Sequence, residues 1–193
     1  VIMAILNDCI IYRHRLGIAI TNHSDLTVTS CMIHVTEEGI HATNSTHITI
    51  TDTHLYHNAI AVLLKESSAV AIDTSYLHTN GIGCYALHNT GLQITHCAFC
   101  DNNDNQGGIF LENTTTTAIT DSYFKNNGVG VGIKSSTDTT ITHSTFTRNT
   151  HFAVKLWNAT TATIQYNNFD DNLRNAAYAE YSTLTLTHNL LHN

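Results

Sequence analysis

One apolar position recurs nine times along the chain, at Ile5, Val28, Ile50, Ile72, Ile94, Ile119, Ile141, Ile164 and Leu186. The intervals are 23, 22, 22, 22, 25, 22, 23 and 22 residues. Two residues before each anchor stand Met3, Leu26, Ile48, Val70, Leu92, Thr117, Thr139, Ala162 and Leu184, so each repeat opens with a period-two strand. Three residues after the anchor the column is small or polar throughout: Asp8, Cys31, Thr53, Ser75, Cys97, Ser122, Ser144, Asn167 and Asn189. Five residues after it the column is apolar again: Ile10, Ile33, Leu55, Leu77, Phe99, Phe124, Phe146, Phe169 and Leu191. In six repeats an asparagine follows at plus eight, at Asn58, Asn80, Asn102, Asn127, Asn149 and Asn172. Asparagine tolerates left-handed backbone and hydrogen-bonds neighbouring turns, which predicts a corner.

Strand, corner, short apolar step, asparagine corner and a second apolar run, such as Ile60-Val62-Leu64 or Val129-Val131-Ile133, make one turn of a solenoid. Successive coils then lie about 4.8 Å apart and place like side chains in contact. This pattern resembles the parallel β-helix repeats of the pectate-lyase-like superfamily. That group includes carbohydrate-binding and sugar-hydrolysis domains and the related periplasmic copper-maturation proteins. The resemblance covers essentially the whole chain and implies right-handed coiling. The expected fold is therefore all-β: a single-stranded right-handed parallel β-helix of about nine coils, 22–23 residues each, over residues 1–193.

The composition fits a solenoid. Proline is absent, as strands that hydrogen-bond on both sides require. Eight basic residues face fifteen acidic ones, for a net charge of −7, so no basic stripe offers itself to nucleic acid. No apolar run approaches the roughly 20 residues of a membrane span. The chain begins Val-Ile-Met and stops in mid-repeat, which reads as a segment of a longer solenoid whose ends or sides could self-associate. The expected location is extracellular or at the cell surface, with the periplasm as the alternative.

Five cysteines, Cys9, Cys31, Cys84, Cys97 and Cys100, form neither a zinc-knuckle nor a disulfide framework, and Cys31 and Cys97 belong to the small inward column. Four sequons, at Asn22, Asn44, Asn113 and Asn158, each lie six residues before an anchor and read as turns of the repeat. Thr-x-Thr pairs beside the anchors resemble ice-binding solenoids, but Ala71, Asp73, Gln93, Ala118 and Gln165 interrupt the array.

Chemistry has four candidate places. His96, Asp121 and His143 stand on successive coils and are chemically suited to ligate a metal, with a polar ladder as the alternative. The Asp101-to-Gly107 insertion and Glu112 partly match a calcium-loop template without its glycine, and a solvated bulge explains the insertion equally well. Asp170, Asp171 and Arg148 are the nearest approach to an acid cluster, and an ordinary ion pair accounts for them as well. The fourth is the plus-four and plus-six face, bearing His34, His54, Tyr56, Tyr76, His78 and Tyr123. Aromatic rings spaced coil by coil suit an extended sugar chain. The expected function is a non-catalytic β-helix that binds polysaccharide or another glycan, neutral and without cleavage, and needs no cofactor. The alternative is a polysaccharide-active enzyme whose site lies partly outside this segment.

Overall fold

The computed structural model describes residues 3–22, 24–158 and 161–192, and its regular structure is entirely β. One coil shows the plan. Thr46–Thr51 belongs to a first sheet, His54–Tyr56 to a second and Ile60–Lys65 to a third, after which Ser68–Asp73 re-enters the first sheet beside Thr46–Thr51. Among the described residues the first two sheets have nine parallel strands each and the third has eight. The expected parallel β-helix is therefore present.

The anchors pair in register from Val28 through Ile50, Ile72, Ile94, Ile119, Ile141 and Ile164 to Leu186. The first coil corrects the sequence reading. Leu6, and not Ile5, lies against Val28, and Ile11, and not Ile10, lies against Ile33. Ile5 and Ile10 are 61% and 66% exposed. The 23-residue first interval carried the error, since a step of 22 back from Val28 falls on Leu6.

Each strand of the second sheet has three residues, and its middle side chain points inward. From Phe99 through Phe124 and Phe146 to Phe169 these form a ladder, with ring centroids 5.2, 4.6 and 5.1 Å apart and planes within 13°. All four rings are buried. Room for them comes from the third sheet, where a methyl group on Gly83 would lie 2.7 Å from Phe99 and one on Gly130 would lie 2.9 Å from Phe146. Large rings on one wall thus require glycine on the opposite wall, a column the sequence analysis did not single out.

The corners hold residues in left-handed backbone. At the first corner this includes Asp52, Thr74, His96, Asp121, His143, Tyr166 and His188, with φ between 46° and 57°. Asn44 and Asn113 take the same conformation at the third corner, which fits the turn reading of their sequons. The sequons at Asn22 and Asn158 extend over His23, Ala159 and Thr160, which lie outside the described residues, as do the initial Val1 and Ile2 and the final Asn193.

Buried side chains satisfy the corner backbone from coil to coil. Asn80 accepts from the Asn58 backbone N–H at 3.0 Å and from its Nδ2 at 3.1 Å, and donates through its own Nδ2 to the Leu55 carbonyl at 3.0 Å. The same exchange links Asn102 to Asn127 and Asn127 to Asn149. The small column plays this part at the first corner, where Thr53 N–H donates to Ser75 Oγ and Ser122 N–H to Ser144 Oγ. Ser45, Ser67 and Asn89 do so at the third. Cys31 and Cys97 occupy the first-corner column and are buried, and burial pushes the Cys97 thiol up to about 12. Cys100 belongs to the outward column, so the two thiols of Cys97-x-x-Cys100 do not face each other.

Two substitutions test this core. Phe124→Ala removes the middle of the ring ladder and should cost about 3–5 kcal/mol in denaturant unfolding. Asn127→Leu strips partners from buried groups on two neighbouring coils and should cost about 1–3 kcal/mol. A wild-type unfolding midpoint for the second variant would mean that the ladder is not needed.

Candidate functional site

A three-residue strand has two outward positions, so the outer face of the second sheet consists of two columns. In-register pairing sets Tyr12 beside His34, His34 beside Tyr56 and Tyr56 beside His78. The rings stack continuously, with centroids 5.4, 4.6 and 5.2 Å apart and planes within 8°. Tyr12 is an addition to the sequence-derived set. It was missed for the same one-residue offset that misplaced Ile5.

In the other column Tyr76 sits beside His54, edge to face at 5.8 Å, and also lies 4.2 Å from His78. The structure thus brings His34, His54, Tyr56, Tyr76 and His78 together in one patch. Tyr123 is on the same face, but Ala98 stands between it and Tyr76. Over Ala98 the aromatic surface breaks into a cleft of about 460 Å³, lined by Tyr76, Cys100, Asp101, Tyr123, Lys125 and Asn126 as well.

Stacking decides what this face can do. Rings packed plane to plane cover one another's faces and turn their edges outward, so the stack offers hydroxyl and imidazole groups in preference to flat apolar surface. Tyr56 uses its hydroxyl toward Met32 Sδ, 3.3 Å away, and the His78 Nδ1 lies 3.0 Å from Thr79 Oγ1. Burial first, and then neighbouring His54 and His57, hold the His78 imidazole below its ordinary 6.5. Burial likewise raises the Tyr76 hydroxyl above its usual value, with the nearby Cys100 adding to it. At Ala98 the column lacks an aromatic side chain between two tyrosines, Tyr76 and Tyr123.

The remaining candidates separate. His96 Nδ1 lies 3.1 Å from Asp73 Oδ1, and its Nε2 lies 3.9 Å from Asp121 Oδ2, so two carboxylates bracket opposite sides of one imidazole. His143 instead stacks on Tyr166 at 5.3 Å, and Tyr166 on His188 at 4.8 Å. The Thr95 hydroxyl first, then His96, hold the Asp73 carboxyl below its usual range. Glu112 is remote in role from the Asp101 insertion: it accepts from Lys134 Nζ at 2.7 Å and from the Tyr85 hydroxyl at 2.8 Å. Arg148 and Asp171 share the second left-handed corner column, where Arg148 N–H donates to the Asp170 carbonyl at 3.1 Å.

The third sheet carries an outward cluster that the sequence reading overlooked. Trp157 reaches over Gly132 to stack on Phe110 at 5.6 Å, and Lys155 Nζ lies 4.7 Å from the indole. Phe110 is only 2% exposed although it points away from the core. The visible signal was a glycine, Gly132, next to Phe110 in one column, which leaves space for Trp157 from two residues further along the next strand.

Solved structures share the fold at low sequence identity. Periplasmic alginate epimerase AlgG superposes with a TM-score of 0.69 at 12% identity, over 93% of this chain and 46% of that one. The A-module of mannuronan C-5 epimerase AlgE4 from Azotobacter vinelandii gives 0.61 at 14% identity, over 93% and 60%. Tailspike protein 2 of an Escherichia coli bacteriophage gives 0.57 at 10% identity, over 90% and 32%. The chain spans about half the length of the two epimerase chains. No curated protein matches significantly. A family-level match extends over residues 3–193, the whole run of coils described above, and on that match the chain belongs to the family of the periplasmic copper-binding protein NosD.

Proposed function

We propose that this protein is a non-catalytic β-helix that binds an extended polysaccharide along the outer face of the second sheet. The observation that carries the reading is the continuous Tyr12, His34, Tyr56 and His78 stack, joined laterally by His54 and Tyr76. A ladder of ring edges at coil spacing presents hydroxyl and imidazole groups in a straight row, and a sugar chain presents its own hydroxyls in a row. Hydrogen bonds made repeatedly along such a row add through multiple contacts without any single deep pocket. The polysaccharide association of the epimerases that share the fold supports this reading. We place the protein in the periplasm or outside the cell, in keeping with the family's description.

The donors present do not suit the copper named in that description. Among the described residues no group of three or more His, Cys, Asp or Glu side chains is arranged to hold a metal ion. His96 has its carboxylate neighbours on opposite edges, and Cys84 and Cys97 are buried thiols pushed up to about 12, protonated at neutral pH. Thiolate is the copper-binding form of cysteine, so these groups do not fit a copper centre.

The binding face is tested by Tyr56→Ala combined with Tyr76→Ala. Affinity electrophoresis in polysaccharide gels should show calcium-independent retardation of the wild type and none of the variant. Each lost stacked pair should cost stability only about 0.5–1.5 kcal/mol, leaving a cooperative melt. Retained binding would move the site elsewhere, and release of reducing or unsaturated ends by the wild type would replace the non-catalytic reading with an enzymatic one.

The His78 shift predicts a pH dependence. Its folded value lies below the unfolded 6.5, so the neutral ring contributes stability that is complete above 6.5 and lost as pH falls toward the folded value. His78→Asn should flatten the decline in melting temperature over that interval. An unchanged slope would show that His78 protonates as readily in the folded chain as in the unfolded one.

A further inference from the structure

A repeat protein marks its special places by breaking its own repeat, and three breaks meet on one coil. One aromatic column of the second sheet is interrupted at Ala98, between Tyr76 and Tyr123, and the other ends at His78, which Cys100 follows. The spacing between anchors widens to 25 residues between Ile94 and Ile119, and the extra residues follow Asp101 on the rim of the same cleft. Lys125 lines that cleft too and has no ion-pair partner among the described residues. The adjacent Asp101 carboxylate is engaged, since it accepts from Asn126 Nδ2 at 2.9 Å. Insertions in solenoids map to loops on one face, often the binding face.

The dimensions suit a sugar ring. Tyr76 and Tyr123 leave the backbone two coils apart, about 9.6 Å along the axis. A ring in van der Waals contact on both sides needs about 7–8 Å between its neighbours, at about 3.5–4.0 Å per contact. From Tyr12 to His78 the rings cover one another, whereas the gap at Ala98 leaves room for a sugar between two tyrosines. The free ammonium beside it selects for charge.

We propose that the cleft over Ala98 holds one pyranose ring that carries a carboxylate, packed between Tyr76 and Tyr123 with the carboxylate on the Lys125 ammonium. The inference rests on the polysaccharide-binding reading and narrows its ligand class from the neutral chain expected from sequence to one bearing uronate units.

A matched pair of probes tests it: a glucose hexasaccharide and its counterpart oxidised at C6 to glucuronate, titrated calorimetrically. The uronate should bind about tenfold tighter at low salt, the scale of one charge-assisted hydrogen bond, and the advantage should shrink as salt is added. Lys125→Gln should erase the difference while leaving the neutral probe's affinity in place. Ala98→Tyr, which completes a column already bearing tyrosine two coils apart, should fill the cleft and erase the preference as well. Equal wild-type affinities for the two probes, or a preference that survives both substitutions, would overturn the cleft while the sugar-binding face stood. Failure of both probes to bind would overturn the face and the cleft together.

Discussion

Everything in this chain depends on satisfying the backbone at the corners without breaking the stack. A coil that turns three times exposes peptide groups that no sheet can pair, and a buried amide left unpaired costs about 1–3 kcal/mol. The solution is vertical. Corner side chains accept from the coil before, and the asparagines also donate to a carbonyl one coil away, as Asn80 does toward Leu55 while accepting from Asn58. The serine and threonine hydroxyls donate within their own coil. Because the exchange works only when like residues are superposed, it fixes the register of all three sheets at once. The cost of a register slip is then shared by strands far from the corner.

That register in turn dictates the surface. Superposed phenylalanines become a ladder inside, and superposed tyrosines and histidines become a ladder outside. The physics is the same in both places, but the consequence differs. Inside, covered ring faces bury area against the glycine wall at Gly83 and Gly130. Outside, covered faces leave a row of polar edges, and apolar ring surface becomes available only where the ladder fails. The absence of a ring at Ala98 is therefore as informative as the rings at Tyr76 and Tyr123.

Much of this was legible from periodicity. The anchors, the inward phenylalanines and the asparagine corner repeat with so little variation that the fold follows from them, and each is found where the columns put it. The first coil was misread because Ile5 and Leu6 are both apolar, so hydrophobicity alone does not choose between adjacent residues when only one neighbouring coil constrains them. The glycine column escaped because its reason lies across the core, in the Phe ring that occupies the space. His96, Asp121 and His143 share a column without forming one site: His96 lies between Asp73 and Asp121, whereas His143 stacks on Tyr166. The stacked geometry of the aromatic face also depends on side-chain torsions that a one-dimensional pattern does not contain.

The most direct test of the account is residue-resolved NMR of the aromatic signals during titration with an oligosaccharide. The chain has a single tryptophan, Trp157, and it lies on the third sheet, away from the proposed face. The account predicts shifts in the ring signals of Tyr56, Tyr76, His78 and Tyr123 while the Trp157 indole N–H stays fixed. Movement of the Trp157 signal with those four rings unperturbed would contradict it.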